Sequence, residues 1–142
     1  QKFLNHGDLQ DDLENKKLET KTFLDSLNIE DLKDYSFVAT AGTPTTIAAI
    51  KLGQDFFSYD RNIVNGTIVN LEDIENCLDI FKNSSNEDIT KLVGRGRVEF
   101  IEVGIFIYKM IFEVLEKNES IVLDDGLREG VAINYCITKC ND

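Results

Sequence analysis

Residues 40–46 read Thr-Ala-Gly-Thr-Pro-Thr-Thr, directly after the apolar run Tyr35-Ser36-Phe37-Val38-Ala39. These types in this order suit the binding of an anion. A β-prone run stops at Gly42, where backbone can approach a ligand closely. Thr43 is then placed to cap a helix whose first position is Pro44, the only proline in the chain. Proline is favoured there because its missing N–H would have no partner in any case. The expected product is a strand, a glycine turn and an exposed helix N-terminus, which offers free amide donors and a positive dipole end to phosphate. The same pattern also serves as a plain close-packed connection. Lys91, Arg95 and Arg97 form the one basic cluster, read either as solvated surface or as guidance of an anion into a cleft. His6 stands near the start of the chain with no nearby partner for base catalysis, and receives no role. The aromatic residues at helical spacing read as core.

The elements that must position these residues follow from periodicity. A helix is expected over 8–27, with Asp8 as N-cap and Leu9, Leu13, Leu24 and Leu27 on its apolar face. A polar turn follows at 29–34, then a strand at 36–41 and a helix from Pro44 through Leu52, stopped by Gly53. Asn65-Gly66 marks a turn into a short edge strand, Thr67-Ile68-Val69. Asn70 opens the next helix with Asp73 three positions on, a capping box, and Leu71, Ile74, Leu78 and Phe81 recur at helical spacing. A short helix through Ile89 and Leu92 ends at Gly94. The longest helix is expected from about Arg97 to Lys117, apolar on so many sides that it must be buried on several of them. Ser120 to Leu123 reads as a second core strand. Asp124-Asp125-Gly126 turns it into a final helix from Leu127 to about Thr138. Both strand–turn–helix units carry glycine at the strand's C-terminal end, the edge where open α/β sheets bind ligands.

The chain has 142 residues, 42% hydrophobic and 29% charged, which gives room for a single domain, 1–142, around one core. A net charge of −11 leaves no electrostatic footprint for nucleic acid and opposes unaided binding of a long polyanion. The apolar stretch from Ile105 to Leu115 is broken by Lys109 and Glu113, so no membrane span is expected. Cys77, Cys136 and Cys140 lack metal-ligand spacing and fit reduced thiols of a cytoplasmic protein. The absence of an initiator Met before Gln1 fits a processed or excised piece. Two strands against five or six helices leave apolar surface that a monomer should not expose, so either another chain completes the sheet or the chain is part of a larger protein.

The run Ala39-Thr40-Ala41-Gly42-Thr43, then Tyr59, Val64-Asn65-Gly66, Arg97, and finally Asp124-Asp125-Gly126-Leu127-Arg128-Glu129-Gly130 resembles the exopolyphosphatase/guanosine pentaphosphate phosphohydrolase (Ppx/GppA) family. The closing Gly-Leu-Arg-Glu-Gly is the most specific element. The resemblance covers essentially the whole chain, but only the second half of the family's two-lobed core. It implies an α/β fold that is a partial ribonuclease-H-like lobe of the actin, sugar-kinase and chaperone ATPase superfamily, helix-rich with a small sheet. The family's Asp-x-Gly-Ser-type and Gly-Gly-Gly-Ser-Thr-type phosphate hairpins have no counterpart here, nor does its catalytic glutamate. Asn65 stands where the family commonly has histidine, and Pro44 and Asp125 also depart from its pattern.

For function, the resemblance implies phosphoanhydride hydrolysis, with the terminal phosphate of inorganic polyphosphate or guanosine pentaphosphate as target and Mg²⁺ as cofactor. It assigns substrate contact to Ala41, Gly42, Thr43, Arg97, Gly126 and Arg128. Asp124 and Glu129 become candidates for a magnesium shell, since Mg²⁺ takes a few carboxylates plus waters. The structural alternative makes Arg128 and Glu129 an internal ion pair that fixes the last helix. The expected partners are the phosphorylated substrate, the N-terminal lobe and a second copy in a homodimer. This chain alone is expected to be inert. A non-catalytic module that binds guanosine tetra- or pentaphosphate, or a dimerisation scaffold, are the other readings.

Overall fold

The computed structural model describes residues 6–26 and 34–140. Its elements are α1 (His6–Ser26), β1 (Val38–Thr40), α2 (Gly42–Lys51), α3 (Arg61–Val64), β2 (Thr67–Asn70), α4 (Leu71–Asn83), α5 (Asn86–Val93), α6 (Ile101–Val114), β3 (Glu119–Leu123) and α7 (Leu127–Cys140). The first helix starts at His6, so Asp8 lies inside its first turn instead of capping it. The polar turn expected at 29–34 falls almost wholly outside the described residues.

Local chemistry explains most boundaries. Asn70 accepts from the Asp73 amide at 2.9 Å while Asp73 accepts from the Asn70 amide at 2.9 Å, the reciprocal bonds of a capping box. Ser85 caps α5 with its side chain alone, accepting from the Asp88 amide at 3.2 Å. Gly53 and Gly94, at φ 71 and 81, end α2 and α5 in the left-handed region that glycine occupies without a Cβ penalty.

The helix expected to be the longest is shorter than its sequence pattern suggests: α6 has 14 residues, and α1, with 21, is the longest of the described helices. Residues 95–100 run in tight turns, with the Arg97 amide on the Gly94 carbonyl at 3.2 Å and the Phe100 amide on Arg97 at 3.0 Å. Gly94 and Gly96 disfavour a continuous helix there, and α6 begins only at Ile101. Past Val114, Glu116 at φ 51 closes the other end, so Lys117 is not helical. The burial is as expected: α6 packs against α1, α2 and α4, and Ile101, Ile105, Tyr108, Phe112 and Val114 are all buried.

The sheet has three strands in the order β1–β3–β2, β1 parallel and β2 antiparallel to β3. β2 is the edge strand that Asn65-Gly66 signals. One face, with Ala39, Val122, Ser120 and Val69, is buried with α2 and α6 around Ile47, Ile74, Ile105 and Phe112. Phe37 closes this core edge-on to Phe112, with ring centroids 5.1 Å apart. Within it the Tyr108 and Ser120 hydroxyls bond each other, and burial raises the Tyr108 phenol above its ordinary pKa. No buried side-chain N or O among the described residues lacks a partner. Tyr108→Phe therefore orphans the Ser120 hydroxyl and should cost about 1–3 kcal/mol in urea unfolding. Adding Ser120→Ala should recover most of that loss, because an apolar pair leaves no buried group unsatisfied.

Candidate functional site: an anion cleft at the start of α2

β1 hands over to α2 through Ala41, which sits at φ 86, ψ 178. Almost only glycine adopts that backbone region, and a residue with a side chain is strained there by about 1–3 kcal/mol. Ala41, not Thr43, is the cap residue, and no side chain caps the helix. Pro44 is third in the helix rather than first. Its missing N–H still falls in the first turn, where no intrahelical acceptor exists. The Gly42 and Thr43 amides thus open the helix without an intrahelical partner. Thr45 and Thr46 turn their hydroxyls backwards, Thr45 Oγ1 to the Ala41 carbonyl at 3.0 Å and Thr46 Oγ1 to the Gly42 carbonyl at 2.7 Å.

Arg97 lies across this turn. A Cβ built on Gly42 would stand 3.3 Å from Arg97 Cζ, so the absence of a side chain lets the guanidinium rest on the backbone. Arg97 Nη1 donates to Thr46 Oγ1 at 3.2 Å, and the residue lines the cleft beside Gly42. The cleft has a volume of about 320 Å³ and is bounded by Ala41, Gly42, Thr43, Pro44, Arg97 and Phe100, with Gly96 and Ile101 at its margin. Phe100 is 70% exposed at its wall, and Phe56 and Phe57 are also exposed, so these aromatics are not core.

A second set of groups borders the first through Tyr59. Its phenol is held above the ordinary range, first by partial burial and then by the Asp124 carboxylate near it. Thr45 and Arg97 act on it in the opposite sense. The loop carrying Tyr59 is fixed by Asp55, whose carboxylate accepts from the Phe57 and Ser58 amides at 3.0 and 2.8 Å. Phe56 lies flat on Gly94, where any Cβ would meet its ring at 2.8 Å. Asn65 sets Asp124 in place by accepting from its amide at 2.6 Å. Asp125 is held by Arg61 and by Asn65 Nδ2 at 3.1 Å.

The structure thus brings Ala41, Gly42, Thr43 and Arg97 to one cleft and links Asp124 to them through Tyr59. Gly126, Arg128 and Glu129 lie at the start of α7 and do not line that cleft. Glu129 Oε2 accepts from the Gly126 amide at 2.8 Å, while its Oε1 is 3.9 Å from both Arg61 and Arg128. These contacts hold its carboxyl below the ordinary range, with the Gly126 amide the main cause. Arg128 is otherwise open to solvent, and Lys91 is spent on Glu87 and Asp88 at 3.6 and 3.3 Å. Among the described residues, no three His, Cys, Asp or Glu converge on a metal position. Mg²⁺ fits this donor set only with substrate phosphates and waters as its remaining ligands, Asp124 being the carboxylate beside the cleft. Tyr59 and Thr45 are the site neighbours that sequence reasoning did not rank. Tyr59 was visible as a motif position, whereas nothing in the spacing placed it against Asp124.

No family model matches the chain, and no curated protein matches it. Solved structures do. A structure of the Aquifex aeolicus Ppx/GppA phosphatase, described as its type II variant, superposes with TM-score 0.73 at 27% identity, over 92% of this chain and 41% of that one. A second Aquifex aeolicus structure, of the Ppx/GppA family member, gives TM-score 0.64 at 31% identity, over 87% and 42%. An exopolyphosphatase from Cytophaga hutchinsonii, at 15% identity and TM-score 0.58 over 86% and 42%, shares the fold alone. The chain spans about two-fifths of the length of these proteins. The resemblance to Ppx/GppA phosphatases therefore holds in the backbone, at 27% and 31% identity over these two superpositions. The small mixed sheet and its helices match part of their actin-like fold. Among the described residues no helix is long and apolar enough to cross a membrane.

The Tyr59 network is open to direct titration. Ultraviolet titration should place the Tyr59 midpoint above the usual tyrosine value of about 10. Asp124→Asn should lower it only in part, since burial is the larger cause.

Proposed function

We propose that this chain supplies the phosphate-binding half of a phosphoanhydride hydrolase acting on inorganic polyphosphate or guanosine pentaphosphate. The observation that carries the reading is the uncapped N-terminus of α2 with Arg97 laid over Gly42. Amides of Gly42 and Thr43 and the guanidinium of Arg97 would balance charge on the terminal phosphate as it leaves. In the reaction, a water oxygen bonds to the terminal phosphorus and the bridging P–O bond breaks, giving orthophosphate and a chain shortened by one phosphate. Tyr59, with Thr45 and Asp124, borders the phosphates and keeps its phenol neutral as a donor. Asp124 is the residue that would hold Mg²⁺, which supplies charge neutralisation when bound. Glu129 and Arg128 orient α7. The carboxylate that positions water belongs to the N-terminal lobe, the expected partner, as do the two phosphate hairpins. A cytoplasmic location accords with these phosphorylated substrates.

A sensing role without turnover rests on one feature: the groups that line the cleft are donors or apolar, and none is a base. Isothermal titration with guanosine tetraphosphate tests the shared core of both readings. Saturable binding is expected, weakened at least about tenfold by Arg97→Ala, the scale of one lost charge-assisted contact. No binding to a folded sample would refute the site. Phosphate release from guanosine pentaphosphate should stay at the blank for this chain alone. It should appear once the N-terminal lobe of a relative is supplied; binding that persists without release would favour the sensor.

A further inference from the structure

α6 carries Gly104 as its fourth residue, inside a helix where glycine is a poor former and alanine the best. A packing contact there offsets that loss. The residue that faces Gly104 is Thr43, in the first turn of α2. A Cβ built on Gly104 would stand 2.5 Å from Thr43 Oγ1, far inside van der Waals contact, and 3.5 Å from Thr43 Cβ. Thr43 is β-branched and restricted at χ1, so a side chain at 104 acts on the spacing of the two helices. Gly130 is likewise the fourth residue of its helix, α7, yet nothing lies within 4 Å of the Cβ it lacks. Of these two glycines, it is Gly104 whose missing side chain lets two elements close.

That closure reaches the anion cleft through the backbone. The Gly104 amide bonds the Phe100 carbonyl at 3.0 Å, and the Phe100 and Ile101 amides both bond the Arg97 carbonyl, at 3.0 and 2.9 Å. Consecutive hydrogen-bonded turns thus tie Arg97 to Gly104, and a displacement at one is carried to the other. Arg97 makes the second close approach between these segments, its Cζ 3.3 Å from the Cβ that Gly42 lacks. Gly42 and Thr43 are neighbours, so two missing side chains, one on each segment, set the distance across the cleft. We propose that Gly104 is a positioning residue. Its bare Cα lets α6 seat on Thr43, and that seating lays the Arg97 guanidinium over the uncapped start of α2. Gly104 does not itself line the cleft. Its effect on affinity rests on the anion-binding reading above, whereas the seating of Arg97 is a property of the free chain.

Two readouts test this, one of them without ligand. In the free chain, nuclear Overhauser contacts between Gly42 and the Arg97 side chain should be lost on Gly104→Ala. They should return in Thr43→Ala/Gly104→Ala, where Oγ1 is gone and the new Cβ meets Thr43 Cβ at an ordinary contact distance. Affinity for guanosine tetraphosphate should follow the same order. Gly104→Ala weakens it at least about fivefold, while Thr43→Ala/Gly104→Ala binds as Thr43→Ala alone does. In an Arg97→Ala background, Gly104→Ala adds no further loss, because it acts through Arg97. Gly130→Ala should leave both readouts unchanged. Should Gly104→Ala fail to fold, Thr43→Ser/Gly104→Ala, whose hydroxyl is free to turn aside, carries the same comparison with a smaller loss. No binding by the unmodified chain would refute the anion-binding reading, and the Overhauser comparison would still decide the seating. Gly42–Arg97 contacts that survive Gly104→Ala, or a loss that removing the Thr43 hydroxyl does not recover, would overturn the proposal.

Discussion

Ala41 sits at φ 86, ψ 178, a conformation that strains any residue bearing a side chain, and the cleft depends on its being held there. The surroundings over-determine it. Thr45 Oγ1 bonds the Ala41 carbonyl, Thr46 Oγ1 bonds the Gly42 carbonyl, and Arg97 presses on Gly42 while donating to Thr46. From the other side α6 approaches so closely at Gly104 that a Cβ there would fall 2.5 Å from Thr43 Oγ1. The strain turns the chain abruptly from β1 into α2, leaving the first amides of the helix uncapped at the C-terminal edge of the sheet. That is where an open α/β sheet offers a ligand its best-placed donors.

An acidic chain that receives a phosphorylated ligand needs its local field to differ from its net charge. Asp125 adds negative charge to the second turn, but Arg61 and Asn65 hold it. Asp124 is shared with Tyr59, and Glu129 with the Gly126 amide, Arg61 and Arg128. The carboxylates nearest the cleft are therefore engaged, while the uncapped helix end and most of Arg97 are not. The net charge of −11 still disfavours a long polyanion approaching from solution, so the proposed function is better served by a short phosphorylated ligand.

Much of this was legible from local sequence. The Asn70/Asp73 box, the Asn65-Gly66 turn into β2, and Gly53 and Gly94 as stops all rest on side chain-to-backbone bonds or φ constraints within a few residues, so spacing alone reveals them. The strand–turn–helix at Gly42 was legible as a connection, although its cap residue was not, because only tertiary packing holds an alanine at positive φ. The pattern from Arg97 to Lys117 overstated a helix, since apolar periodicity continues through a stretch that Gly94 and Gly96 bend into turns. Tyr59 beside Asp124 required the fold, as the two are brought together by Asn65 and the Asp55 turn rather than by spacing. The family resemblance carried what local chemistry could not, namely that the chain is part of an actin-like fold, although of the two turns it named only the Gly42 turn lines the cleft.

The measurement that bears most directly on this account is a two-dimensional amide NMR titration of the chain with guanosine tetraphosphate. The account predicts saturable shifts centred on the Gly42 and Thr43 amides and the Arg97 side chain, with smaller ones at Tyr59. Saturable shifts confined to the start of α7 or to the Lys91–Arg95 region, with Gly42 and Thr43 unmoved, would contradict it.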